Sequence, residues 1–170
     1  QNVEAMKYKG LAEISKFIEG QDEPAWLSAI RRKAFEIYSG QAWPTPQDEE
    51  WRRSDISMYD FEGLAFEPAT SGSAEALEEN DEFAGEIRFS NTGEVGSYLR
   101  EDLREQGVVF GSWKSLLSEG LSPELHTRLE ALLARGIEKS DNKVGTWHYA
   151  IMTHGVFLYV PKFVEIDEPF

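Results

Sequence analysis

Histidine is the first residue type to ask about, because a neutral imidazole is a metal ligand and a base that titrates near neutral pH. His148 and His154 stand six positions apart, so they do not stack on one helical turn as the four-residue spacing of a His-Glu-x-x-His zinc site does. Asp141 and Glu165 lie near them in sequence, and the four side chains make a mixed nitrogen–oxygen site only if the fold gathers them. Spacing gives that gathering almost no support, and ordinary hydrogen-bonded histidines are the simpler account. His126 falls between apolar positions of a helical pattern and reads as a surface or boundary residue.

The carboxylates number 31, and that abundance works against an acid–base pair of glycosidase type, which needs two carboxyl groups set apart by environment. The acidic runs at 48–50 and 75–86 read as solvated faces. The stretch "GEVG" at 93–96 has a Gly-x-x-Gly spacing ahead of an expected helix start, which would present backbone donors to a phosphate. Glu94 inside it, no adjacent Lys, and a formal charge of −14 favour a plain turn feeding a capped helix. No Walker A, Rossmann or Ser-centred elbow motif is present. Arg31–Arg32 and Arg52–Arg53 are adjacent Arg pairs whose guanidinium forks suit a carboxylate, with Glu49, Glu50 and Asp55 as the expected partners. Trp26, Trp43, Trp51, Trp113 and Trp147 read as core residues ahead of any ligand platform. No catalytic, cofactor-binding or metal-ligating residue is assigned.

The elements that would carry these groups are mostly helical. Leu11, Ile14, Phe17 and Ile18 recur at helical spacing before Gly20. The stretch "DEPAWLSAIRRKAFEIYSG" predicts a helix with Asp22 as cap, Pro24 in the first turn, Gly40 after the end, and Trp26, Leu27, Ile30, Ala34, Ile37 and Tyr38 on one face. "WPTPQDEEWRR" predicts a short helix with Thr45 as cap and Asp48 at the capping-box position, carrying Trp51 inward. From Ser54 to about Ala84 the pattern is irregular surface. "EIRFSN" predicts a strand, and "GSYLREDLREQG" a helix capped by Ser97 and stopped by Gly107. "GVVF" predicts a strand, followed by a helix with Ser112 as cap and Gly120 as stop. "SPELHTRLEALLARG" predicts a helix with Ser122 as cap, Pro123 first, Leu125, Leu129, Leu132 and Leu133 inward, and Gly136 ending it. A last short helix runs through Trp147 and Ile151. Val156–Val160 predicts a strand buried on both faces, and Val164 and Ile166, alternating with Glu165 and Asp167, a half-buried one.

At 170 residues the chain suits one domain, or one with an appendage, with roughly 70% of the unfolded surface buried at this size. Hydrophobic residues make up 41%, including ten Phe and six Tyr, too many large apolar groups for a disordered chain. The acidic surface repels phosphate backbones and anionic membranes, which argues against nucleic acid or a membrane as partner. There is no Cys, so disulfides, thiolate ligands and a thiol nucleophile are excluded within the chain. No run of 18 apolar residues and no secretory leader pattern occurs, and a soluble cytoplasmic protein is the expectation. The start at Gln1 reads as a lost amino terminus.

Four segments, "EPAWLSAIRRKAFEIY", "WPTPQDEEWRRSDIS", "GVVFGSWKSLL" and "DNKVGTWHYAIMTHGVFLYVPKFVEIDEP", occur here in an order that resembles the SufB/SufD family of iron–sulfur cluster assembly proteins. The likeness is closer to the SufD branch and is weak between about 60 and 95. It implies an α+β fold: a mostly helical amino-terminal domain with a few strands over 1–145, then a truncated segment, 146–170, leading into a right-handed parallel β-helix that lies beyond this chain. A first rung of such a solenoid cannot bury its faces alone, so the terminal strands would pack on the chain's own helices or on a neighbouring copy, and a homodimer of the fragment is one expectation.

The resemblance further implies a non-enzymatic scaffold that works with SufB and the ABC-type ATPase SufC, the iron–sulfur cluster being assembled on the full complex with no cofactor in this fragment. The family's ligand and ATPase contacts belong to later regions, and none is carried over to a residue here. Two alternatives from other classes are a small acidic metal-assisted hydrolase using His148, His154 and nearby carboxylates, and a general protein-interaction module.

Overall fold

A computed structural model describes residues 13–61, 77–90 and 93–170. These form two compact units. The first comprises the described residues among 1–68 together with 128–152, and the second those among 69–127 together with 153–170.

The first unit is helical. Its elements are α1 over residues 13–19, α2 (Ala25–Gly40), a 3-10 turn (Glu49–Trp51), the later turns of α5 (Pro123–Glu138), and α6 (Lys143–Ile151). Ile14, Phe17 and Ile18 are buried as their spacing predicts, and Leu11 lies outside the described residues. They join Ile30, Ala34 and Tyr38 of α2, Ile137 of α5 and Ala150 of α6 in one core. Each fully buried large apolar side chain of this kind contributes about 1.5–3 kcal/mol. Asp22 does not cap α2: Pro24 holds the N-cap position without a side-chain hydrogen bond, and the Pro24 carbonyl accepts from the backbone N–H groups of Leu27 and Ser28. Thr45 and Asp48 close the predicted turn, Asp48 Oδ2 accepting from Thr45 N at 2.7 Å, but only one 3-10 turn follows and Trp51 is half-buried.

Helix α5 runs through Gly136 to Glu138 instead of stopping there. A Cβ at Gly136 would collide with the phenol ring and oxygen of Tyr149 on α6. Glycine at this position permits close approach of two helices, and no left-handed end is made. The buried stripe of α5 follows Leu129, Leu133 and Ile137. Leu132, expected inward, is 58% exposed because it is turned by about 100° from its neighbour Leu133.

The second unit carries the strands. β1 (Gly85–Ser90) pairs antiparallel with β2 (Gly93–Leu99), and β3 (Val109–Ser112) pairs antiparallel with β4 (Val156–Tyr159). The expected helix capped by Ser97 is corrected here: residues 93–99 are strand, and only Glu101–Glu105 form helix, α3, after which Gly107 takes a φ of 85°. Val95 and Tyr98 are β-favouring residues, and pairing with β1 holds the segment as strand. Helix α4 (Trp113–Glu119) begins and ends as its sequence predicts, Ser112 Oγ accepting from Ser115 N and Gly120 adopting a φ of 95°. Ser122 likewise accepts from Leu125 N at the start of α5.

β4 is buried on one face, not both. Phe157 is buried, whereas Val156 and Leu158 are 51% and 44% exposed, because nothing among the described residues covers the outer face of this two-stranded sheet. The second terminal strand does not form. The chain turns at Pro161–Val164, with Phe163 at a φ of 70°. Residues 164–170 then run without a ladder partner, although the expected alternation survives: Val164 and Ile166 pack on the core of Ala84, Leu99, Leu103 and Val108. Pro169 O accepts from Ala84 N at 2.8 Å, Glu168 pairs with Arg100 at 3.0 Å, and the rings of Phe170 and Phe110 lie 4.8 Å apart. Residues 54–61 and 77–84 are irregular, as their composition predicts, and 62–76 lie outside the described residues. Among the described residues no helix is long and apolar enough to cross a membrane.

Candidate functional site

Three constellations of polar side chains stand out. The first is built on Arg31, which lies on α2 between Ile30 and Ala34 and is fully buried. Its Nε donates to both oxygens of Glu23, at 2.8 and 3.0 Å, and its Nη1 donates to the carbonyls of Ala150 and Met152, at 3.3 and 2.8 Å. Ser28 donates to the same Glu23 carboxylate, and the guanidinium carbon stands 5.9 Å from the Phe17 ring centroid. The planar fork thus satisfies the last carbonyls of α6, which a helix end leaves without intrahelical partners, and places a cation at the negative end of the helix dipole. Burial pulls the Arg31 pKa down, with the attraction and hydrogen bond of Glu23 opposing it. Arg32, its neighbour, is exposed.

The second constellation centres on Glu94. A β-bulge between Arg88 and Phe89 shifts the register, so that Phe89 opposes Glu94 while Arg88 opposes Gly96. The extra residue, Val95, breaks the two-residue alternation and puts Glu94 within reach of Ser97. Ser97 Oγ donates to Glu94 Oε1 at 2.6 Å, and Ser112 and Ser115 donate to Oε2 at 2.5 and 2.7 Å. The hydroxyl that caps α4 is therefore itself bonded to a carboxylate on β2. Burial raises the Glu94 pKa, but the three hydroxyl donors outweigh it and hold the carboxyl below its ordinary value.

The third is an open groove of about 400 Å³ in the first unit, between the segment 41–51 and the start of α6. Trp43 and Trp51 line it, with Asp48, Glu49, Glu50 and Asp141 among the remaining lining residues and Lys143 as their cationic counterpart. Lys143 is 5% exposed. Its Nζ donates to Gln41 O at 3.0 Å and lies 4.4 Å from the Tyr38 ring centroid and 5.2 Å from that of Trp43. Thr146 donates to Gln41 Oε1 at 2.6 Å, and Trp43 stacks on Phe61 with its edge contacts to Tyr38 and Trp147. These contacts fix Gln41 and Trp43 against the start of α6.

The residues that sequence placed as candidates are distributed among these and elsewhere. His148 sits on α6 against the ring of Tyr149, in the first unit, and His154 stacks on Phe89, 5.3 Å between centroids, in the second. Asp141 lies at the groove, where its Oδ1 accepts from Asn142, and Glu165 is exposed in the terminal segment of the second unit. Among the described residues no three His, Cys, Asp or Glu side chains converge as a metal ion requires. The Gly-x-x-Gly stretch is strand, not a loop at a helix start. Arg52 faces Glu49 at 3.7 Å with both side chains exposed, a geometry that contributes little.

Arg31 was expected to pair with Glu49, Glu50 or Asp55, and its carboxylate partner is instead Glu23; the Glu94 arrangement was not expected. Arg31 occupies a stripe position, with Leu27, Ala34 and Tyr38 four before, three after and seven after it, and a charged residue on such a stripe must find a buried partner. That was a readable signal. The Glu94 arrangement depends on a bulge, which no residue type announces.

The family model described as the SufBD protein N-terminal region matches residues 4–170. The iron–sulfur cluster assembly protein SufD of Bacillus subtilis is 25% identical over 169 residues, covering 92% of this chain and 36% of that protein. An iron–sulfur cluster assembly SufBD family protein of Staphylococcus epidermidis is 28% identical over 178 residues, covering 94% and 35%. One of Staphylococcus haemolyticus is 27% identical over 178 residues, covering 92% and 35%. The chain thus spans about a third of the length of these relatives. No solved structure matches it.

Proposed function

The chain belongs to the SufBD family, whose N-terminal region its residues 4–170 match, and from that membership we propose that it is the amino-terminal part of a scaffold protein for iron–sulfur cluster assembly. The match along nearly the whole chain carries the proposal, and the relatives named as assembly proteins support its direction. In this proposal the complete protein, of SufD type, works in the cytoplasm with SufB and the ATPase SufC. Residues 1–145 form its amino-terminal domain and 146–170 lead into a right-handed parallel β-helix.

The iron–sulfur cluster is the cargo of that assembly. This stretch contributes no cysteine thiolate, the usual ligand of a cluster, and its role is to position other parts, without catalysis of its own. The side chains with the most chemical potential support that assignment: Arg31 closes the end of α6, and Glu94 ties β2 to the start of α4. Both act as braces.

The test is to express the complete reading frame together with SufB and SufC of the same source and to follow both co-purification and reconstitution of a cluster. A stable complex that needs this protein for full cluster loading is expected. Failure to associate with either partner, with loading unchanged in its absence, overturns the proposal.

A further inference from the structure

The groove beside Trp43 and Trp51 has a chemistry that the family membership does not assign. We propose that it docks a basic segment of a partner polypeptide, with the aliphatic stems of Lys or Arg along Trp51 and the accessible part of Trp43 and their cationic heads among Glu49, Glu50 and Asp141. This inference is independent of the assembly role proposed above.

Several observations favour that occupant. The wall of Gln41 and Trp43 is preformed, since Lys143 and Thr146 hold Gln41 and the ring of Trp43 is stacked on Phe61, which reduces the ordering needed on binding. The lining is mainly apolar, and among the described residues four carboxylates there stand against one cation, Lys143. That cation is buried on the Gln41 carbonyl and two ring faces, so it offsets only part of the rim charge. Aromatic surfaces beside carboxylates suit the amphipathic stems and cationic heads of Lys and Arg.

Other occupants fit less well. No three carboxylates converge on a point among the described residues, which disfavours a metal ion and suits several separated cations along a chain. An anionic ligand would face the acidic rim. A second copy carries the same charge of −14 and is repelled over most orientations. Arg52 shields Glu49 only through an exposed contact of 3.7 Å, which an incoming guanidinium can displace at little cost.

The test uses the isotopically labelled chain and follows its tryptophan indole N–H resonances during titration with two peptides, one alternating arginine and leucine, the other glutamate and leucine. The basic peptide is expected to shift Trp43 and Trp51 saturably and leave Trp113 unmoved, while the acidic peptide shifts neither groove residue. The double variant Glu49→Lys/Glu50→Lys should weaken binding about tenfold, and raising salt from about 50 to about 300 mM should weaken it several-fold. A second pair, Glu50→Gln with Asp141→Asn, keeps side-chain shape and should weaken binding in the same direction, so the inference stays testable if charge reversal disturbs the fold. Unmoved groove tryptophans, equal binding by both peptides, or undiminished binding by the folded variants overturns it. Shifts reproduced by concentrating the chain alone also overturn it, in favour of a second copy.

Discussion

The guanidinium of Arg31 donates to the carbonyl of Met152, 121 residues further along the chain, at 2.8 Å. One side chain on α2 thereby closes the end of α6, and Glu23 neutralises it from the turn before α2. Removing one member of such a pair leaves the other charge buried, at a cost of about 3–5 kcal/mol. Arg31→Ala is therefore expected to lower the denaturation midpoint sharply. Arg31→Lys should recover little, because one ammonium cannot reproduce a fork that serves a carboxylate and two carbonyls. The double variant with Glu23→Ala should be much less destabilised than the sum of the singles. Additive losses in chemical denaturation would contradict the assignment.

Gly136→Ala tests the close approach of α5 and α6. In an open helix interior, Ala in place of Gly stabilises by roughly 1 kcal/mol. Here the added methyl meets the Tyr149 phenol, so the sign should reverse to a loss of about 1–3 kcal/mol, in the range of overpacked cores. A second change, Tyr149→Leu, should relieve that loss in part. A raised melting temperature in Gly136→Ala alone would show that the helices do not pack this closely.

Legibility in the sequence followed the range of the interaction involved. Local chemistry was readable: Ser112 and Gly120 bound α4 where a cap and a left-handed stop were expected, and Ile14, Phe17 and Ile18 bury as their spacing implies. Elements whose state depends on distant partners were not. Residues 97–99 stood at the expected start of a helix with Ser97 as its cap, but pairing with β1 places them in strand. Gly136 looked like a stop because a contact with Tyr149 cannot be seen from one segment. Of the groove, Trp43, Trp51 and the acidic run at 48–50 were visible as types, but not their meeting with Asp141 and Lys143, nearly a hundred residues on.

Phe163 tests backbone strain. It is 90% exposed and sits at a φ of 70°, a left-handed conformation that costs a residue with a bulky side chain about 1–2 kcal/mol. Asn tolerates this region better, and no buried contact is lost. Phe163→Asn is accordingly expected to stabilise by about 1 kcal/mol, read as a higher midpoint in urea with an unchanged slope. A lower midpoint would mean that the ring makes a contribution its exposure does not reveal.

Glu94 gives a prediction in pH. Its burial raises the pKa and three serine hydroxyls lower it further than that, so the folded value lies below the unfolded one. A depressed carboxyl adds stability that is fully present above its unfolded pKa and disappears as pH falls through the folded value. Glu94→Gln keeps the shape and an acceptor oxygen but removes the charge that strengthens these bonds. The melting temperatures of the two proteins should differ most near neutral pH and converge as pH falls below the ordinary carboxylate range. Asp55, Asp102 and Glu168 are also held low by their donors and lose stabilisation in the same direction, but they do so in both proteins and drop out of the difference. A gap that stays constant down to about pH 3 would mean that the serines hold Glu94 no more strongly as a carboxylate than as an acid.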